Sequence, residues 1–226
     1  MITTMEGTHM LRKRISVRTI GRLSAYRRVL FRSLTTGPAN VYSYQIAALS
    51  GATPAQVRRD LMSVGYSGSP NRGYQVAELA ASIGEFLDDP DGQNVALVGV
   101  GNLGRAILAY FAGRRPRLAI VAAFDAAPEK VNRTIHGCRC YPIAQIPTIA
   151  ARENIRVAVI ATPAEAAQSV ADTLIAAGVR GILNFAPVSL KVPPWVYTED
   201  LDMTMALEKV AYFARHEKQQ ERDTQS

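Results

Sequence analysis

Six consecutive residues, Gly99-Val100-Gly101-Asn102-Leu103-Gly104, carry the strongest chemical signal in the chain. Glycines at that spacing let a backbone turn tightly and approach a pyrophosphate, which then faces the positive end of the following helix. The flanks agree. Residues 94–100 form a short apolar run of the buried-strand kind, and helical spacing resumes from Leu103 through Ile107 and Leu108 to Phe111. A second apolar run, Leu118 to Phe124, ends in Asp125, 21 residues after Gly104. A carboxylate there accepts hydrogen bonds from an adenosine ribose diol and repels a 2′-phosphate, so NAD(H) is expected over NADP(H). Lys130 and Arg133 follow closely and are expected to be solvated. The competing role for Asp125 is a helix cap for the stretch to Glu129.

Two further strands are read at residues 156–161 and 181–185. Thr162, Pro163, Asn184, Phe185, Ala186 and Pro187 fall at their carboxyl ends, where an open α/β sheet binds its ligand, and are the candidates for the nicotinamide side. No general base can be nominated. The three histidines, His9, His136 and His216, sit in a tail, a loop and the end of a helix. A small NAD-dependent oxidoreductase is one rival reading, but about 40 residues remain after Asn184, too few for a substrate domain. A CoA-binding module of the same fold is another. Cys138 and Cys140 are read as ordinary strand residues, since no further ligand completes a zinc set, and no metal is expected.

The elements that must position these groups belong to an ordinary folded chain. The 226 residues are 48% hydrophobic and 20% charged, which excludes disorder and collagen-like structure. No apolar run reaches the ~18 residues of a membrane span, and a cytoplasmic protein is expected. Strands alternating with helices predict an α/β fold, a Rossmann-type doubly wound parallel sheet. A last amphipathic helix is read from about Met203 to Gln220.

Charge divides the chain. Residues 1–76 carry 11 Lys/Arg against Glu6 and Asp60, whereas residues 77–226 carry 15 against 17 acids, within a net charge of +7. A basic module suggests a polyanionic partner. Met1 to Arg14 lacks periodicity and is read as a flexible or cloning-derived arm. Ile20, Leu23, Leu30, Phe31 and Leu34 mark a first helix, stopped by Gly37-Pro38, and Ser43 precedes a short second one from Tyr44 to Leu49. Thr53-Pro54-Ala55-Gln56 combines an N-cap, a proline at the first helical position and a capping-box glutamine, so a third helix starts there. The pair makes a helix-turn-helix. With Val57, Leu61 and Val64 inward, Gln56, Arg58, Arg59 and Ser63 are left to reach base edges and phosphates in a major groove. Residues 65–74 suit a hairpin wing with Arg72 near its tip, completing a winged helix. Arg14, Arg22 and Tyr74 are added as candidate DNA contacts. Boundaries are placed at 15–80 for the DNA-binding domain, 81–200 for the NAD(H) domain and 201–226 for the terminal helix and tail.

A winged helix followed directly by a dinucleotide fold and a terminal amphipathic helix resembles the Rex family of redox-sensing transcriptional repressors. The likeness covers residues 15 to 218 and is carried by Gln56-Val-Arg-Arg-Asp-Leu61, Val98-Gly-Val-Gly-Asn-Leu-Gly104, Phe124-Asp125 with Pro128-Glu-Lys-Val131, Gly181-Ile-Leu-Asn-Phe-Ala-Pro187 and Leu201-Asp202. It implies a homodimer on palindromic double-stranded operator DNA, released when NADH binds, with NADH/NAD+ as cofactor, no catalysis and the C-terminal helix swapped between subunits. It also implies a switch in which Asp202 trades partners between Tyr110, near the cofactor, and Arg28 on the first helix. Two departures bear on the operator: Met62-Ser-Val64 stands before Gly65 where members commonly carry aromatics, and the wing is less basic and less Gly-rich.

Overall fold

Local signals start the elements of the first unit as the residue types require. The computed structural model describes residues 15–69, 72–113 and 117–223, so Arg14 lies outside the described residues. Helix α1 (Val17–Thr36) is capped by Ser16, whose Oγ accepts the Thr19 N–H. Helix α2 (Ser43–Ser50) begins at N-cap Tyr42, one residue before the expected start. Its amide N–H donates to Gln45 Oε1, and the helix ends on Gly51 in the left-handed region. Helix α3 (Pro54–Ser63) has Thr53 Oγ1 accepting the Gln56 N–H and Pro54 in its first turn.

Two elements of this unit go beyond the sequence expectation. Strand β1 (Asn40–Val41), before α2, pairs antiparallel with β2 (Tyr74–Gln75) and anchors the wing, whose described part is an antiparallel bridge between Ser69 and Gly73. Helix α4 (Val76–Leu87) then packs Leu79 and Ile83 against Leu23, Tyr26 and Leu30 of α1, Ile46 of α2 and Val57 and Leu61 of α3. The chain divides into two units between Pro90 and Asp91. A boundary at residue 80 would cut α4 in half, because this helix supplies a full face of the first core.

A charged network lies inside that core. Asp60, 3% exposed, accepts from Arg22 Nε at 2.6 Å and Tyr26 Oη at 2.9 Å on Oδ2, and from Arg22 Nη2 and Gln56 Nε2, each at 2.8 Å, on Oδ1. A carboxylate has about four lone-pair sites, and all are used. Arg27, also buried, donates to Asp88 Oδ1 at 2.6 Å and ties the end of α4 to α1.

In the second unit the strands are β3 (Gln93–Val98), β4 (Leu118–Asp125), β5 (Thr134–Ile135), β6 (Cys138–Pro142), β7 (Val157–Ile160), β8 (Gly181–Asn184) and β9 (Tyr197–Asp200). Their order is β5-β6-β4-β3-β7-β8-β9, all parallel except β5. Val95 and Leu97 of β3 pack with Ile107 and Leu108 of α5 (Asn102–Phe111) on one face. Ala96 and Val98 pack with Ile146 and Ile149 of α6 (Ile146–Arg152) and Val170 and Leu174 of α7 (Ala164–Ala176) on the other. Helices on both faces explain why the strands read as unbroken apolar runs. The chain leaves β3 toward β4 and returns to β7 on its opposite side, so the crevice between β3 and β7 is the topological switch point. Strand β9, which the sequence reading did not include, forms the edge. Helix α8 (Met203–Asp223) carries Met203, Leu207, Val210 and Phe213 exposed.

Burial opposes ionisation of Asp60, but the hydrogen bonds from Arg22, Gln56 and Tyr26 outweigh it and hold its pKa below the ordinary carboxylate value. Its contribution to stability is therefore complete above about pH 4 and lost as the pH falls through the lower folded value. Arg22→Met leaves that charge buried and half-paired, and should cost about 3 kcal/mol in urea denaturation at pH 7. The deficit should shrink in acid, where the orphaned carboxylate neutralises.

Candidate nucleotide and DNA sites

The glycines of the fingerprint differ in what a side chain would meet. At Gly104 a Cβ would lie 2.0 Å from the Gly99 carbonyl oxygen, and at Gly99, with φ of +95°, it would lie 2.4 Å from the Ala161 oxygen. Those two glycines let α5, β3 and the loop after β7 touch. Gly101 is different. It is the N-cap of α5 with φ −79° and ψ −162°, extended backbone open to any residue, and a Cβ there would meet nothing within 4 Å. Space is kept open beside the first N–H groups of a ten-residue helix, the arrangement that accepts a diphosphate.

Asp125 stands beside this turn at the end of β4. Its Oδ2 accepts the Val100 N–H at 2.7 Å and Lys130 Nζ at 3.2 Å, and its Oδ1 accepts the Ala127 N–H at 2.9 Å. Burial works against its charge, yet the N–H groups of Ala127 and Val100 and the Lys130 ammonium lower its pKa. Three of about four acceptor sites are used, so one remains on Oδ1. No helix begins at Asp125; residues 128–132 form turns. The expectation that Lys130 is solvated is corrected by this ion pair, while Arg133 is exposed.

Across the switch point the Thr162 hydroxyl is buried without a hydrogen-bond partner. Pro163 is exposed and caps α7. Phe185 is half-buried, Ala186 buried and Pro187 exposed. Asn184 does not offer a ligand contact: it is fully buried, donates to the Val188 carbonyl oxygen and Asp200 Oδ1, and accepts the Ala186 N–H. It shapes the loop that carries Phe185, Ala186 and Pro187. Val100 and Leu103 pack in the core under the glycine turn, and Asn102 is exposed. The orphaned Thr162 hydroxyl, the open space at Gly101 and the spare acceptor on Asp125 all fit a dinucleotide.

Among the expected DNA contacts, Arg58, Arg59, Ser63 and Arg72 are exposed. Arg58 Nη1 donates to Ser43 Oγ, and Ser63 Oγ to the Asp60 carbonyl oxygen. Tyr74 is corrected: it is 8% exposed with its ring 6.1 Å from Tyr66 in the core. Arg22 and Gln56 are engaged within the unit, Arg22 through Nε and Nη2 with Asp60 and Thr19 and Gln56 through its amide with Asp60 and Arg59. These groups shape the reading surface from within. No local sequence signal marks this network, since Asp60 lies 38 and 34 residues from Arg22 and Tyr26. Of the switch residues, Arg28 is exposed on α1, the Tyr110 ring lies edge-on to Phe111 at 5.3 Å, and Asp202 Oδ1 accepts the Met205 N–H at the start of α8.

Two family models match, "CoA binding domain" over residues 91–188 and "Putative DNA-binding protein N-terminus" over residues 14–61. Relatives extend across both. The redox-sensing transcriptional repressor Rex of Rhodopirellula baltica is 37% identical over 201 residues, covering 89% of this chain and 85% of its own. That of Carboxydothermus hydrogenoformans is 39% identical over 199 residues, covering 88% and 96%. This chain belongs to the Rex family. The structure of RSP, a Rex-family repressor, in complex with β-NAD+ and operator DNA matches with a TM-score of 0.83 at 29% identity, over 93% of this chain and 97% of RSP. RSP in complex with β-NADH matches at 0.80, over 93% and 99%. For a Rex-family chain, then, the two-unit architecture is the one the sequence reading expected.

Two outcomes follow from the site. Gly101→Ala should melt like the parent but bind NADH about tenfold or more weakly in a fluorescence titration, whereas Gly104→Ala should unfold the second unit. Burial, with the neighbouring Cys140, pushes the Cys138 thiol up to about 11, and burial with the Asp125 charge raises Cys140, so neither forms much thiolate at neutral pH. Mass spectrometry after brief peroxide treatment of native protein should find both unmodified.

Proposed function

We propose that this chain is a homodimeric repressor that grips palindromic double-stranded operator DNA, releases it when NADH binds, and performs no catalysis. Gly101 carries this reading: its conformation does not require glycine, and the room it leaves is what a bound diphosphate needs. Residues 99–104 would hold the pyrophosphate and Asp125 the adenosine ribose. Thr162, Pro163, Phe185, Ala186 and Pro187 would line the nicotinamide end. The oxidised nicotinamide ring is cationic and the reduced ring neutral. Phe185 and Ala186 penalise an unpaired cation far more than a neutral ring, so desolvation alone discriminates redox state.

On the DNA side, Arg58, Arg59 and Ser63 would enter a major groove, with Arg72 and Arg14 on the backbone. The exposed stripe Met203, Leu207, Val210 and Phe213 supports α8 packing into a partner subunit. Redox control requires NADH to favour the arrangement of the dimer that cannot span two half-sites, since equal affinity for both shifts nothing. The trigger we infer is Asp202 of one subunit passing between Tyr110 and Arg28. Such a protein works in the compartment that holds the DNA, the bacterial cytoplasm.

The test is fluorescence anisotropy of labelled AT-rich palindromic duplexes at fixed salt, competed with NADH, NAD+ and CoA. NADH should displace the protein without being consumed, NAD+ and CoA should not, and NADPH should be weaker than NADH by about tenfold or more because Asp125 repels its extra phosphate. Equal displacement by NADH and NAD+ would sink the redox reading. An Asp202→Ala protein as sensitive to NADH as the parent would sink the switch alone.

A further inference from the structure

The amide of Gln56 is held at both ends. Its Nε2 donates to Asp60 Oδ1 at 2.8 Å, and its Oε1 accepts from Arg59 Nη2 at 3.2 Å. These partners also fix which way the amide faces: only its nitrogen can meet a carboxylate oxygen, and only its oxygen can meet a guanidinium. Each end keeps one further site, an N–H and a lone pair, so any contact with an adenine would have to be made in the orientation that Asp60 and Arg59 impose. Asp60 is buried and cannot follow Gln56 outward, because Arg22 and Tyr26 hold its other acceptor sites.

We propose that Gln56 is a positioning residue: it relays the fixed orientation of buried Asp60 to the exposed Arg59 guanidinium, and so sets the base preference of α3 without reading a base itself. Arg59 lies on the exposed side of α3. Without a second contact, a guanidinium on a flexible stem samples many rotamers, and the bidentate geometry that singles out guanine is diluted. The hydrogen bond to Gln56 removes part of that freedom before DNA arrives. Arg58 is restrained in a parallel way by Ser43 at the start of α2. The recognition surface is thus pre-set from the core outward, with α1 as its base through Arg22 and Tyr26. This inference rests on the DNA-reading role proposed above.

The experiment selects preferred sites from a random duplex library with the full-length parent, then measures the affinities of Arg59→Ala, Gln56→Met and the double variant for every single-base change in that site. Methionine keeps the length of glutamine and removes both hydrogen bonds. Gln56→Met should lose roughly fivefold or more in discrimination at the same base step that Arg59→Ala relaxes. The double variant should relax no further position, and the affinity of Gln56→Met for a scrambled duplex, which a damaged fold would lower, should stay within about twofold of the parent's. The relay is overturned if Gln56→Met relaxes a position that Arg59→Ala leaves intact, since Gln56 then reads its own base. It is equally overturned if discrimination is unchanged, or if operator and scrambled duplex lose affinity alike. A parent protein that enriches no sequence at all would refute the DNA-reading role itself, a result distinct from each of these.

Discussion

Each unit of this protein is fastened by one carboxylate taken out of water. An unpaired buried charge is among the most costly features a fold can carry, so the donors around it must be held in place. Asp60 draws Arg22 and Tyr26 of α1 and Gln56 of α3 onto a single group, and thereby fixes the angle between the recognition helix and its support. Asp125 draws the Val100 N–H of the glycine turn, the Ala127 N–H and Lys130 onto the end of β4. In both, hydrogen bonds outweigh the burial that opposes ionisation, and the pKa falls. The difference lies in the lone pairs. Asp60 has none to spare and is structural, whereas Asp125 keeps one acceptor site on Oδ1.

What could be read from the sequence follows the range of the interactions. The fingerprint at residues 99–104, the strand before it and the Thr53-Pro54 start of α3 are written in neighbouring residues, and their geometry matches the reading. The side chains of Arg22, Gln56 and Tyr74 suit DNA, but partners as far as 38 residues away engage Arg22. Tyr74 turns inward because β1 and β2 pair across the whole helix-turn-helix. Asn184 illustrates the same limit: it sits at the ligand end of its strand, yet Asp200 of β9 and the loop it organises consume its amide.

Helix α4 is a different case, because its signal is local. Val76, Leu79, Ala80 and Ile83 recur at helical spacing and are all buried. The acidic, Pro- and Gly-containing stretch from Asp88 to Gly92 holds the division between the two units, and the helix just before it closes the first core. Arg27 then clamps Asp88 to α1, so the connection leaves the first unit from a fixed point.

The two halves of the molecule solve opposite problems with the same device. A DNA reader has to present charged side chains to a polyanion while keeping them from wandering, and here restraint comes from polar contacts: Arg59 through Gln56 to buried Asp60, Arg58 through Ser43 at the surface. A redox sensor has to tell a cation from a neutral ring, and in the loop after β8 the Asn184 amide is satisfied by Val188, Asp200 and Ala186, which leaves Phe185 and Ala186 as an apolar stretch of wall. Removing polar partners from that wall sharpens discrimination, because any acceptor left facing the ring would offset the desolvation cost that separates the two oxidation states. On the proposed function the buried amide of Asn184 acts without contact, since its hydrogen bonds keep that stretch of wall apolar.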